Sequence, residues 1–315
     1  MSAIDPRILA RLDRKWADLA RMRPLSATVV SRLREHFAIE FTYNSNAIEG
    51  NRLTLRETEL VVSQGITIKG RSLREHLEAK DHHEATQFLY DAADARKSGP
   101  VTEVLIRSLH RLVVRETEAE TAGSYRKGSV RITGSAHVPP EGFEVPRLMR
   151  EFVTWIQKSR KSLHPVVFAS LAHHRLAAIH PFEDGNGRTA RLLMNFLLMQ
   201  SGYPLVVILK NDRKKYYRAL EQADRGDEAS LVRLIAQSVE RSLDLYLKAA
   251  GSSQEKFISL SELAKGTPYS AKYLNLLIRS GKLAGHKEGR NWVSSRAALK
   301  QYLQARHRKR DPRQK

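Results

Sequence analysis

The segment that most constrains the fold is a twelve-residue break where two apolar helical stretches meet. Residues 165–179 and 187–200 each carry apolar side chains at helical spacing. Across their junction runs His180-Pro181-Phe182-Glu183-Asp184-Gly185-Asn186-Gly187-Arg188-Thr189-Ala190-Arg191. Pro181 opposes continuation of the first helix through the residue before it. A glycine-rich loop that opens directly into a second helix presents several backbone N–H groups and the positive end of the helix dipole, which makes an anion nest. Arg188 and Arg191 sit three apart in the first turn, so both can reach one anion, and their forks match phosphate oxygens. Two cations at a helix N-terminus oppose its dipole, a cost that an anion relieves. Asp184 is suited to a hard cation such as Mg²⁺, which takes one or two carboxylates plus phosphates. His180 is the only proton acceptor of the stretch that works near neutral pH. Taken singly, these are a helix-ending histidine, a turn and a solvated arginine pair. Joined in twelve residues, they point to phosphate-ester chemistry.

Most of the remaining chain reads as helix. Apolar residues recur at helical spacing over 6–38, 55–62, 73–97, 105–115, 146–159 and 227–248. Residues 123–140 (GSYRKGSVRITGSAHVPP) break the pattern with Gly123, Gly128 and Gly134, a β-branched run and two prolines; this predicts a β-hairpin. The divisions expected are an N-terminal helical region (1–100), a catalytic core (101–248), a linker (249–254), a C-terminal module (255–305) and a basic, disordered tail (306–315). Within the module, two short helices flank Gly266-Thr267-Pro268, and a Gly/Lys turn separates Lys282-Leu283 from Trp292-Val293. That order predicts a helix-turn-helix followed by a wing.

Charge adds a second constraint. The formal net charge is +20 with a pI near 10.2, and residues 251–315 hold 15 Lys and Arg against four Asp and Glu. Such an excess favours a polyanionic partner, while a solvated basic tail remains the plainer reading of this segment. There is no cysteine, so no disulfide framework or thiolate chemistry exists. The first residues lack the apolar stretch of a secretory signal, and no apolar run has membrane-spanning length, which fits a cytoplasmic protein without a membrane partner.

The twelve-residue stretch resembles the Fic family signature HPFx[DE]GNGRxxR, which it matches at every defined position. The resemblance implies a mainly α fold: a Fic-type helical core with a β-hairpin flap, here followed by a small winged-helix-like domain. It implies a nucleotidyltransferase that moves AMP from ATP, with Mg²⁺, onto a Ser, Thr or Tyr hydroxyl of a protein, with self-modification as a by-product. By position, it makes His180 the base that takes the hydroxyl proton and Asp184 the metal ligand. Gly185, Asn186, Gly187 and Arg188 become the cradle of the α- and β-phosphates, with Thr189 and Ala190 alongside, and Arg191 holds the γ-phosphate. The 123–140 segment sits where the family has its flap, with Ile132, Thr133, Gly134, Ser135, Ala136 and His137 as the strip that covers the nucleotide and aligns the target.

Residues 202–227 are similar to the stretch that follows the signature in animal members. That similarity places Tyr216 and Tyr217 at the nucleoside, although two aromatic residues covering a helix face explain them equally well. Asp224 stands where the animal enzyme has Asn at a ribose contact. Upstream, Ser45-Asn46-Ala47-Ile48-Glu49-Gly50 fits the family's inhibitory pattern [ST]xxxE[GN]. A carboxylate at Glu49 paired with Arg191 would occupy the place of the γ-phosphate and misalign the α-phosphate. Two alternatives stay open: AMP removal by the same residues, and a DNA-binding regulator working through the basic module, whose recognition helix would start at Ser270-Ala271-Lys272-Tyr273. A homodimer is expected by analogy alone.

Overall fold

Prolines and capping side chains decide where the helices begin. In the computed structural model, which describes residues 4–93, 99–251 and 256–308, the expected 6–38 stretch is two helices. These are α1 (Pro6–Arg21), capped by the Asp5 carboxylate, and α2 (Ala27–Glu49). Pro24 separates them, since it lacks the N–H a helix interior needs. Helices α3 (Leu55–Gln64) and α4 (Leu73–Ala92) each open on a reciprocal capping box, Thr54 with Glu57 and Ser72 with Glu75. The end expected for the third helix, near residue 97, lies outside the described residues. Then follow α5 (Glu103–Val113), α6 (Val145–Ser159), α7 (Pro165–Ile179), α8 (Asn186–Gln200), α9 (Arg213–Asp224) and α10 (Ala229–Ala249).

The chain groups into two compact units, one formed by residues 30–235 and the other by residues 4–29 with 236–308. These units do not follow the expected divisions at residues 100 and 248. In the first unit α7 and α8 pack along each other, α4 and α5 lie against α8, and α6 lies against α7. From Leu192 to Leu198 every side chain of α8 is buried, as befits a helix apolar on all faces. The break between α7 and α8 is thereby held at the heart of this unit.

The expected hairpin at 123–140 does not form: among the described residues this segment contains no strand. Its tip is a tight turn in which Ser135 N donates to Ile132 O at 3.1 Å, with Gly134 at φ 77°, the left-handed position that favours glycine. Two causes oppose a ladder. Pro139 and Pro140 have no N–H to give, and the Arg126 guanidinium takes the carbonyls of Gly128 (2.7 Å) and Pro140 (2.6 Å) that a hairpin would pair.

In the second unit, β1 (Phe257–Ser259), α11 (Leu260–Ala264), α12 (Ala271–Arg279), β2 (His286–Glu288), β3 (Asn291–Ser295) and α13 (Arg296–Arg308) follow in order. The sheet is antiparallel with strand order β1-β3-β2, and Ile258 faces Ser294 while Lys287 faces Trp292. Two short helices and an antiparallel strand pair thus occupy this stretch, with β1 as an edge strand. Residues 252–255 of the linker and 309–315 of the tail lie outside the described residues. No helix among the described residues is long and apolar enough to cross a membrane.

Ionic contacts explain why α1 belongs with the C-terminal elements. Arg11 donates from Nε and Nη2 to Glu240 at 2.6 and 2.8 Å, Lys15 lies 2.8 Å from Glu240 and 2.6 Å from Asp244, and Asp244 pairs with His286 at 2.8 Å. Burial raises the pKa of the Glu240 carboxyl, but Lys15 and Arg11 outweigh it and bring it down to about 2, from 4.5. This contribution to stability is complete above pH 4.5 and is lost as the pH falls toward 2. Replacing Glu240 by Ala would leave two buried cations short of a counter-charge. The expected cost is about 3 kcal/mol, measured by urea denaturation at pH 7.

Candidate active site

The site is built on the α7–α8 break. His180 closes α7 in the left-handed conformation (φ 50°), and its N–H still reaches Leu176 O. Its ring is part-buried, with Nδ1 3.3 Å from Ala177 O. Burial lowers its pKa from the ordinary value, and Arg126 adds to that, so the imidazole is neutral and able to take a proton near pH 7. After it, the Asn186 side chain closes the loop on itself, accepting from Phe182 N at 2.9 Å and donating to Phe182 O at 2.8 Å. Asn186 therefore serves the nest by shaping it. Gly185 stands at φ 75°, and a Cβ there would meet the Val114 side chain, so glycine is required twice over.

Helix α8 opens directly from this loop, with the first-turn N–H groups at the loop mouth as at any helix start. Thr189 turns its hydroxyl back to Gly185 O (2.9 Å), and Ala190 is fully buried. Both face the core, which removes their side chains from the expected cradle. Arg188 is buried, and its Nε and Nη1 have no acceptor; its Nη2 lies 3.3 Å from the Asp184 carboxylate. Buried guanidinium donors without acceptors are costly, and a bound anion would satisfy them.

Arg191 is 1% exposed and fully engaged. Nε donates to Ser45 Oγ and Nη2 to Ser45 O, both at 2.9 Å; Nη2 also donates to Glu49 Oε1 at 2.7 Å, and Nη1 to the Tyr216 hydroxyl at 3.4 Å. Burial works against this charge, but Glu49 and Tyr216 together outweigh it and raise the Arg191 pKa above its ordinary value. Ser45 and Glu49 are four apart in the last turn of α2, so one helix face supplies both. The Glu49 carboxylate rests over Gly187 so closely that a Cβ there would collide with it.

The two tyrosines do not share a role. Tyr216 is buried behind Arg191, with its hydroxyl 2.9 Å from His173 Nε2, which differs from the expected place at the nucleoside. Tyr217, part-buried, donates to Ile48 O at 3.0 Å and reaches Glu49 Oε2 at 3.5 Å. Asp224 accepts from His174 Nε2 at 2.8 Å and lies 3.9 Å from Nδ1 of His137. His137 Nε2 in turn bonds Ala178 O at 2.9 Å. Of the expected contact strip, His137 and the Ile132–Ser135 turn are therefore tied in place, while Thr133, Gly134 and Ala136 are exposed.

Asp184 Oδ1 accepts from Gly185 N, and Oδ2 pairs with Arg74 at 2.8 Å. Burial alone would raise its pKa, but Arg188, the Gly185 N–H and Arg74 together lower it. A half-exposed, ionised carboxylate beside an anion nest fits Mg²⁺, whose remaining ligands would be phosphate oxygens and water. No group of three or more His, Cys, Asp or Glu side chains converges among the described residues.

Four residues that sequence reasoning missed complete the site: Arg74, His110, Arg126 and His173. His110 stacks flat on Phe182 at 3.7 Å, takes the Gly123 N–H on Nδ1 and bonds Asp184 O through Nε2, both at 2.9 Å. Tyr216→Phe would strip a buried partner from both Arg191 and His173. We expect it to lose about 1–3 kcal/mol in chemical denaturation, and the part-buried Tyr217→Phe less than about 1 kcal/mol.

The chain is similar to known proteins in both sequence and fold. Residues 100–198 match the Fic/DOC family. The chain is 38% identical over 250 residues to the protein adenylyltransferase Fic of Drosophila willistoni, covering 79% of this chain and 49% of that one. It spans about half the length of the curated relatives it matches. A Fic domain containing signaling protein from Bacteroides thetaiotaomicron superposes with a TM-score of 0.70 at 34% identity, covering 79% of this chain and all of that one. Residues 134–508 of Fic-1 from C. elegans superpose with a TM-score of 0.72 at 30% identity, covering 79% and 73%.

Proposed function

Because the chain belongs to the Fic/DOC family, we propose that it transfers AMP from ATP to a hydroxyl of a protein, and that Glu49 holds this activity off. The observation that carries the reading is the contrast between two buried arginines one turn apart. Every guanidinium nitrogen of Arg191 has a partner, Glu49 among them, whereas Arg188 meets Asp184 through Nη2 alone and its buried Nε and Nη1 have no acceptor. A triphosphate chain laid along the start of α8 would satisfy both. Its terminal phosphate would replace Glu49 on Arg191, its inner phosphates would meet Arg188 and the first-turn N–H groups, and Asp184 would face it as the metal ligand. Mg²⁺ bound there would neutralise phosphate charge. His180 then takes the proton of the incoming hydroxyl as its oxygen bonds to the α-phosphorus and pyrophosphate leaves. The exposed tip around Thr133 and Gly134 would align the target chain. While Glu49 occupies Arg191, the terminal phosphate is displaced and the α-phosphate with it, which is enough to stop an in-line transfer.

The test is to incubate wild type, Glu49→Gly and His180→Ala with α-labelled ATP and Mg²⁺ and to measure covalent label on protein. Glu49→Gly is expected to exceed wild type by on the order of 10²-fold. His180→Ala is expected to fall by about 10²–10⁴-fold while still binding ATP. Equal label in wild type and Glu49→Gly would remove the inhibitory role. Label that wild type strips from a modified target would assign the chain to AMP removal.

A second role, DNA binding by the C-terminal module, rests on one surface. Lys272, Leu276 and Arg279 form the exposed face of α12, beside Asn291 and Trp292 of β3, with Lys287 and Arg290 on the adjoining hairpin. A cationic helix face flanked by a basic hairpin suits a DNA groove. In gel-shift titrations with duplex DNA, Lys272→Ala with Arg279→Ala should weaken binding at least about tenfold. Sequence-independent binding that vanishes at moderate salt would reduce this role to bulk charge.

A further inference from the structure

We propose that Arg126 is a positioning residue that ties the base of the 128–140 segment to the main chain of His180, so that this covering segment and the reacting imidazole are set together. The inference rests on the AMP-transfer reading above. Arg126 is 3% exposed, and its guanidinium donors go to backbone carbonyls. Nε donates to His180 O at 2.7 Å, Nη1 to Gly128 O at 2.7 Å, and Nη2 to Pro140 O at 2.6 Å and Ile179 O at 3.4 Å. Its own N–H donates to Pro181 O at 3.0 Å. A rigid fork spreads its donors over three directions at once, which a lysine ammonium on a flexible stem does not.

Each of these acceptors belongs to a part that needs fixing. Ile179 and His180 carry the last carbonyls of α7, which have no partner within the helix, and a cation there also meets the negative end of the dipole. His180 is the one non-glycine residue with positive φ among the described residues, a conformation that persists only where surroundings hold it. Gly128 and Pro140 are the two ends of the segment whose tip lies at Thr133 and Gly134. One guanidinium thus closes that segment at its base and braces the left-handed turn that aims the imidazole. Burial lowers the pKa of Arg126, so a buried cation is retained here at a cost.

The test places Arg126→Lys and Arg126→Ala in the Glu49→Gly background. It measures kcat and KM for ATP in label transfer, ATP affinity by calorimetry, and tryptic cleavage after the exposed Lys127 and Arg131. For Arg126→Lys, kcat should fall at least about tenfold while KM and affinity for ATP stay within about threefold, since the α8 nest is untouched. Cleavage after Arg131 should quicken at least about tenfold, and millimolar guanidinium should restore part of the lost rate to Arg126→Ala. Parental kcat in Arg126→Lys, unchanged cleavage, or a parallel loss of ATP affinity and kcat would each overturn the proposal. A Glu49→Gly parent that transfers no label would instead sink the AMP-transfer reading, and cleavage would still decide whether Arg126 anchors the segment.

Discussion

A guanidinium buried to 1% exposure needs an anion, and much of this site is arranged around that need at Arg191. Taking the charge out of water costs several kcal/mol unless partners surround it. Ser45, Glu49 and Tyr216 supply them here. Three separate stretches of chain must therefore meet at one side chain: the end of α2, the start of α8 and the first turn of α9. Tyr216 is held in turn by His173 on α7, so the requirement spreads through four helices. The placing of these four helices around Arg191 thus follows from one buried charge.

The loop between α7 and α8 could be read in advance because its chemistry is contiguous. Histidine, carboxylate, glycines and arginines lie within twelve residues, and the helix that follows is apolar on every face. The Glu49–Arg191 pair was also legible, but only through a resemblance, for the partners are 142 residues apart. Arg126 and His110 left no such trace. Each serves the loop by reaching a backbone carbonyl, over 54 and 74 residues respectively, and a carbonyl has no identity in a sequence. Tyr216 was misplaced for a related reason: an aromatic at helical spacing looks the same whether it meets a ligand or supports an arginine from behind.

The segment 123–140 shows composition overruled by context. Glycines and β-branched residues spoke for a hairpin, yet a buried arginine at the base and two prolines claimed the groups that a ladder would use. A segment without a ladder resists bending only where side chains pin it. Here those pins are Arg126 at its base and His137 near its far end.

Gly187 carries a final consequence. Glu49 lies so close above it that a methyl group would fall within the carboxylate's own volume. The contact of Glu49 with Arg191 therefore depends on an atom the chain does not have. A residue usually read as permission to turn acts here as room of fixed size, filled by a carboxylate oxygen of Glu49.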